Sequence, residues 1–169
     1  MVNVSERPAE AADRAVPGHW EGDLIIGKNN ASAMGTLVER STGYTMLLHL
    51  PDGYTPEQVC DALAAKIQEL PEVLRRSLTW DQGPEMRDWK QVSVAADVDI
   101  YFCDPHAPWQ RGTNENTNGL LRQYFPKGTD LSVHTAADLN AVADELNDRP
   151  RKRLGFRKPI EQIGPLMLR

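Results

Sequence analysis

Residues 21–50 read EGDLIIGKNNASAMGTLVERSTGYTMLLHL, and how this stretch is parsed decides the fold. It holds three short apolar runs, EGDLIIGK (21–28), MGTLVERS (34–41) and GYTMLLHL (43–50). Asn29-Asn30 and Ser41-Thr42-Gly43 separate them, and residues of these types suit tight reversals. Two close connections between strand-like runs predict an antiparallel meander. Inside the first run stands Asp23. Strand interiors disfavour Asp, and the period of two puts Leu24 and Ile26 on one face, Asp23 and Ile25 on the other. Such a carboxylate is either a residue near a strand edge or a group kept for chemistry.

Beyond Pro51 the apolar period lengthens. Val59, Leu63, Ile67 and Leu70 recur at helical spacing, with Thr55 as N-cap, Pro56 at the first helical position and Glu57 in the first turn. RSLTWD (76–81) reads as a short strand that stops at Gln82-Gly83-Pro84, and EMRDWKQVSVAAD (85–97) as a helix. VDIYFCD (98–104) is a fifth strand, followed by helices in DPHAPWQRGTNENTNGLLRQYF (104–125) and TAADLNAVADELNDR (135–149). The order is β-β-β-α-β-α-β-α-α. Strands separated by helices need crossovers, so the last two should lie parallel to the first. The expected fold is α/β, a five-stranded mixed sheet in the order 3-2-1-4-5 flanked by helices.

A chain of 169 residues suits one domain with a real core. Residues 1–17, charged and rich in Ala and Pro, read as a linker entering a domain that spans 18–169. No apolar run reaches the 18 or more residues of a membrane span, and the first residues lack the apolar core of a signal peptide. Cys60 and Cys103 stand far apart without zinc spacing, which fits a reducing, cytoplasmic setting. The net charge of −5 argues against a uniformly basic nucleic-acid binder. Yet six of the ten residues 149–158 are Arg149, Arg151, Lys152, Arg153, Arg157 and Lys158. That cluster is either a solvated tail or an electrostatic footprint for DNA phosphate.

The stretch 104–125 is an odd way to build a helix, because Asn and Thr are mediocre helix formers. At 100° per residue Leu120, Leu121, Tyr124 and Phe125 form one apolar side, while Glu115, Asn118, Gly119 and Arg122 point the other way. Alone, Glu115 is a carboxylate favoured by the helix dipole in a first turn, and Asp81 is a turn residue serving Asp-Gln-Gly. Together, Asp23, Asp81 and Glu115 would come from the first strand, the end of the fourth and an adjacent helix. Hard Mg²⁺ binds through a few carboxylates plus substrate phosphate, and two such ions serve an in-line displacement at phosphorus. Arg111, Asn114, Asn118 and Arg122 could then donate to DNA phosphate without competing as ligands. Glu21, on the same face as Asp23, and Glu85, one turn after Asp81, are reserve ligands. His106 and Trp109 lie in the loop before the helix, and Trp20, Trp80 and Trp89 read as core.

Asp23, Asp81 and Glu115, with 33 residues between the last two, resemble the DDE triad of transposases and retroviral-type integrases. The longer motifs GHWEGDLIIG, LTWDQGPEM, YFCDPHAPWQRGTNENTNGLLRQYFPKGTDLS and DELNDRPRKRLGFRKPIEQI resemble the insertion-sequence-thirty family of bacterial transposases. The resemblance covers roughly residues 5 to 163. It implies a ribonuclease-H-like fold, Mg²⁺ or Mn²⁺ (two ions per site with DNA bound), and DNA cleavage followed by strand transfer. It also implies DNA as partner; a homo-oligomer is expected, and no membrane. Two departures stand out: Gln82 replaces an expected basic residue, and the family's N-terminal helix-turn-helix region has no counterpart here, so a catalytic core is expected. A plain metal-dependent nuclease, or a non-catalytic DNA-binding or assembly remnant of a decayed element, stays open as an alternative.

Overall fold

The meander forms as the turn residues predict. The computed structural model describes residues 1–12, 14–81, 83–103 and 112–168, with the backbone alone at 12 and 112–115. Strands β1 (His19–Ile26), β2 (Ala33–Glu39) and β3 (Thr45–Leu48) pair antiparallel in succession. Asn29 and Asn30 take the positive φ of 57° that the first reversal needs, and Gly43 takes φ 76° in the second. Strands β4 (Ser77–Trp80) and β5 (Asp99–Phe102) join on the other side of β1, both parallel. The sheet order is β3-β2-β1-β4-β5, as expected.

Each face of the sheet carries its own helices. Helix α1 (Ala9–Ala12) belongs to the N-terminal segment, and α2 (Pro56–Gln68) and α3 (Trp89–Ala96) follow in chain order. Thr55 caps α2 in a capping box with Gln58, one residue before Pro56. Val59, Leu63 and Ile67 of α2 and Val92 and Ala96 of α3 meet Trp20, Leu37, Leu78 and Trp80 in the larger core. Helices α4 (Gly112–Leu121) and α5 (Ala136–Asn147) cover the opposite face. There Leu121, Phe125, Leu139 and Leu146 close over Ile25, Met34 and Leu47. The third predicted helix therefore buries the apolar side expected of it, although residues 104–111 lie outside the described ones. Trp20 and Trp80 are buried and Trp89 half-buried, as core residues should be.

Three features depart from expectation. Residues 1–17 do not stand apart as a linker: Val4 and Ala11 are buried, and Asn3 bridges Phe102 in parallel beside β5. Phe102 N–H donates to Val2 O at 2.8 Å, and Arg40 Nε donates to Ala11 O at 2.8 Å. The helix expected over 85–97 starts only at Trp89, after a 3-10 turn at Pro84–Met86. Finally, a helix α6 (Pro159–Met167) follows the basic segment and drives Ile163 into the larger core. The basic segment itself is folded: Arg151 and Arg157 pair in an antiparallel bridge around the left-handed Gly155.

Candidate active site

Neighbouring parallel strands bring the two aspartates into line. The partners across β1 and β4 are His19 with Ser77, Trp20 with Leu78 and Glu21 with Thr79. The same step, if continued for two residues, would set Asp23 level with Asp81, which follows the end of β4 by one residue. Trp80 packs against Gly22, where a Cβ would stand 2.1 Å from the indole ring, so the close contact of β4 with β1 needs glycine. On its other side Trp80 O accepts from Cys103 N–H at 2.9 Å. Trp80 Nε1 donates to Glu85 Oε1 at 3.0 Å, which occupies one oxygen of that reserve ligand.

His19, Glu21, Asp23 and Ile25 share the face of β1 that α4 covers. Asp23 is half-buried; its Oδ1 accepts from Leu24 N–H at 2.8 Å and its Oδ2 from Asn118 Nδ2 at 3.1 Å. Asp81, also half-buried, accepts from Gly83 N–H at 3.1 Å through Oδ1. The turn reading of Asp81 holds: the hydrogen bond from Gly83 N–H fixes the direction in which its carboxylate leaves the strand end. Glu115 sits in the first turn of α4, on the helix that brings Asn118 to Asp23, and its side chain lies outside the described residues. Glu21 is fully buried and pairs with Arg40 NH1 at 2.7 Å, so this reserve ligand is walled off from solvent.

Among the described residues no three His, Cys, Asp or Glu side chains form a metal cluster. What they supply is two partly exposed aspartates and, on the Asn118 side chain that donates to Asp23, a buried amide oxygen with no hydrogen-bond partner among the described residues. An all-oxygen donor set fits a hard divalent cation rather than zinc or copper.

Several residues expected at DNA turn inward. Asn118 faces Asp23, and Arg122 donates to Ile26 O at 3.2 Å and Phe125 O at 3.3 Å. Burial lowers the Arg122 guanidinium pKa. Both stand on the helix side away from the apolar stripe, and that side also meets the sheet, because α4 lies across β1 and β2. Arg149 stacks over the Tyr124 ring at 5.6 Å and pairs with Glu145 at 3.6 Å. Arg151 NH2 donates to Leu146 O at 3.0 Å, Arg153 NH1 to Ser41 O at 3.0 Å, and Lys158 pairs with Asp148 at 3.0 Å. Lys152, Arg153 and Arg157 are nevertheless exposed. Gln82, His106, Trp109 and Arg111 lie outside the described residues, as does the side chain of Asn114. Sequence reasoning missed Asn118 as a partner of Asp23; its position three residues after Glu115 was the signal.

Residues 13–108 match the family model described as the integrase core domain. The chain is 52% identical over 167 residues to the transposase for insertion sequence element IS1086 of Cupriavidus metallidurans, across 99% of this chain and 49% of that protein. It is 50% identical over 160 residues to transposase InsI for insertion sequence element IS30C of Escherichia coli, across 95% of this chain and 41% of that one. It thus spans about half the length of these relatives. Among solved structures, the catalytic core domain of BIV integrase matches with a TM-score of 0.60 and 19% identity, covering 86% of this chain and 92% of that one. A chain of the simian T-cell lymphotropic virus intasome matches with a TM-score of 0.59 and 22% identity, covering 78% and 49%. At these identities the structural likeness speaks for the fold, which is that of retroviral integrase catalytic cores.

Proposed function

Because the chain belongs to the integrase core domain family, we propose that it performs the phosphoryl-transfer chemistry of a DNA transposase. The reaction is hydrolysis of a phosphodiester at an element end, followed by attack of the freed 3′-hydroxyl on target DNA. The observation behind this reading is that β1, which carries Asp23, lies parallel to β4, whose end Asp81 follows by one residue, on a sheet crossed by the helix that bears Glu115.

In this proposal Asp23 and Asp81 hold Mg²⁺ or Mn²⁺, two ions once DNA is bound, and Glu115 completes the ligand set. Held there, such ions would supply Lewis-acid stabilisation of the attacking and leaving oxygens. Asn118 orients the Asp23 carboxylate from α4, and the Gly83 amide orients Asp81. The carboxylates act as ligands, so no covalent enzyme intermediate is required. Exposed Lys152 and Arg157, with Arg153, hold the DNA backbone without reading sequence. DNA ends, target DNA and further copies of the chain are the partners, in a cytoplasmic setting. Among the described residues no helix is long and apolar enough to cross a membrane.

The test is strand transfer from pre-cut DNA ends with Mn²⁺. Joined products that vanish in Asp23→Asn, Asp81→Asn and Glu115→Gln support the reading. Cleavage without joining would assign a nuclease, and binding without either reaction a non-catalytic module.

A further inference from the structure

A cavity of about 210 Å³ opens on the far side of α4, lined by Arg14, Gly43, Asn116, Thr117, Arg151 and Arg153. Three guanidinium groups from two separate stretches of chain line it: Arg14 from the N-terminal segment, and Arg151 and Arg153 from the start of the basic segment. The remaining wall is the β2–β3 turn and two polar residues of α4. Such a wall is a costly thing to fold around nothing, because like charges repel and each buried donor wants a partner. Arg151 Nε is buried and has no hydrogen-bond partner among the described residues. Burial, then the neighbouring cations Arg149 and Arg153, lowers the Arg151 pKa; burial, then Arg14, lowers that of Arg153.

Among the described residues, the nearby acids are committed elsewhere. Glu39 faces Arg153, but its carboxylate is taken by the turn: it accepts from Ser41 Oγ at 2.6 Å, Thr42 N–H at 2.9 Å and Thr42 Oγ1 at 2.8 Å. Glu21 pairs with Arg40 instead. Among the described residues no carboxylate forms an ion pair with Arg151 or Arg153. The first NH group of Arg153 is spent on Ser41 O, and one NH group of Arg151 on Leu146 O, so both guanidinium planes are held in place. Fixed guanidinium forks suit a tetrahedral oxyanion. At about 30 Å³ for one water, the cavity has room for such an anion with part of its hydration.

We propose that this cavity is a receptor for one phosphate group, separate from the Asp23–Asp81 site, bridging the N-terminal segment, α4 and the basic segment. The phosphate comes either from the backbone of bound DNA or from an inorganic anion. In the first case the site rests on the DNA-joining reading above; in the second it does not. Because Asn116 adjoins Glu115 on α4, an occupied cavity ties the third carboxylate's helix to the segments on either side.

The experiment is a sulfate titration of the full chain followed by thermal melting, against sodium chloride at equal ionic strength. An anion that binds only the folded form raises Tm by mass action, here by about 3–6 °C at saturation. The shift should disappear in Arg153→Gln and in Asn116→Asp, a surface change that places a negative charge in the lining and spares the fold. A wild-type shift no larger than the chloride control, or equal shifts in both variants, overturns the proposal. Repeating the titration with a saturating 20-base-pair duplex identifies the source. Loss of the sulfate shift assigns the cavity to a DNA phosphate; an additive shift assigns it to a free anion. The melting readout needs no strand transfer, so the cavity and the catalytic reading fail independently.

Discussion

Glu21 and Asp23 stand two residues apart on the same face of the same strand, and the fold uses them in opposite ways. Glu21 is sealed at 0% exposure against the Arg40 guanidinium, which the N-terminal segment steadies through Ala11 O. Asp23 is half-buried, and its described hydrogen bonds come from an amide N–H and the Asn118 carboxamide. A sealed carboxylate in an ion pair holds the sheet together. A partly exposed one is within reach of solvent. β1 thus divides at Gly22, under the Trp80 ring: Glu21 before it is sealed in an ion pair, and Asp23 after it is partly exposed.

Removing Arg40 breaks this comparison most severely. Arg40→Ala leaves Glu21 charged and buried, and should cost about 3–5 kcal/mol in urea unfolding. Asp23→Asn should change stability by less than about 1 kcal/mol while abolishing strand transfer. If the two substitutions destabilised equally, the division of labour would be wrong. Gly22→Ala should cost about 1–3 kcal/mol by overpacking against Trp80. It should also depress joining more than its stability loss explains, because Trp80 directly precedes Asp81.

The sheet order, and with it the parallel pairing of β1 and β4, was legible in the sequence. Turn residues set the meander, and the parallel crossovers leave little choice about which strand lies beside β1. The ends were harder. Asn3, Val4 and Ala11 dock by single contacts that carry no period. Helix α6 shows Ile160, Ile163 and Met167 at helical spacing, but Gly164 and Pro165 inside it weaken the pattern. Asn118 and Arg122 looked like DNA contacts because helical phase separates apolar from polar residues. It does not say that the polar side also rests on a sheet bearing a carboxylate. Likewise, charge counting sees the 149–158 cluster and not the backbone carbonyls that tie down Arg151 and Arg153.

Smaller effects sharpen the picture. Asn118→Ala removes a donor to a carboxylate, which should cost about 1–2 kcal/mol and weaken joining without abolishing it. Lys152→Ala with Arg157→Ala should leave stability within about 0.5 kcal/mol. The same pair should lower the salt dependence of duplex binding by about 1.8 units, two phosphate contacts' worth. An unchanged slope would leave these two as solvated charges.

The most direct measurement is the Mn²⁺ dependence of melting for the wild type beside Asp23→Asn, Asp81→Asn and Glu21→Gln. The account predicts a wild-type Tm that climbs with Mn²⁺, because a divalent ion relieves the repulsion of adjacent aspartates and binds only the folded chain. That rise should vanish in Asp23→Asn and Asp81→Asn, and persist in Glu21→Gln despite its lower starting Tm. A full Mn²⁺ shift in either aspartate variant, or its loss in Glu21→Gln, would contradict the placement of the metal site at the upper end of β1.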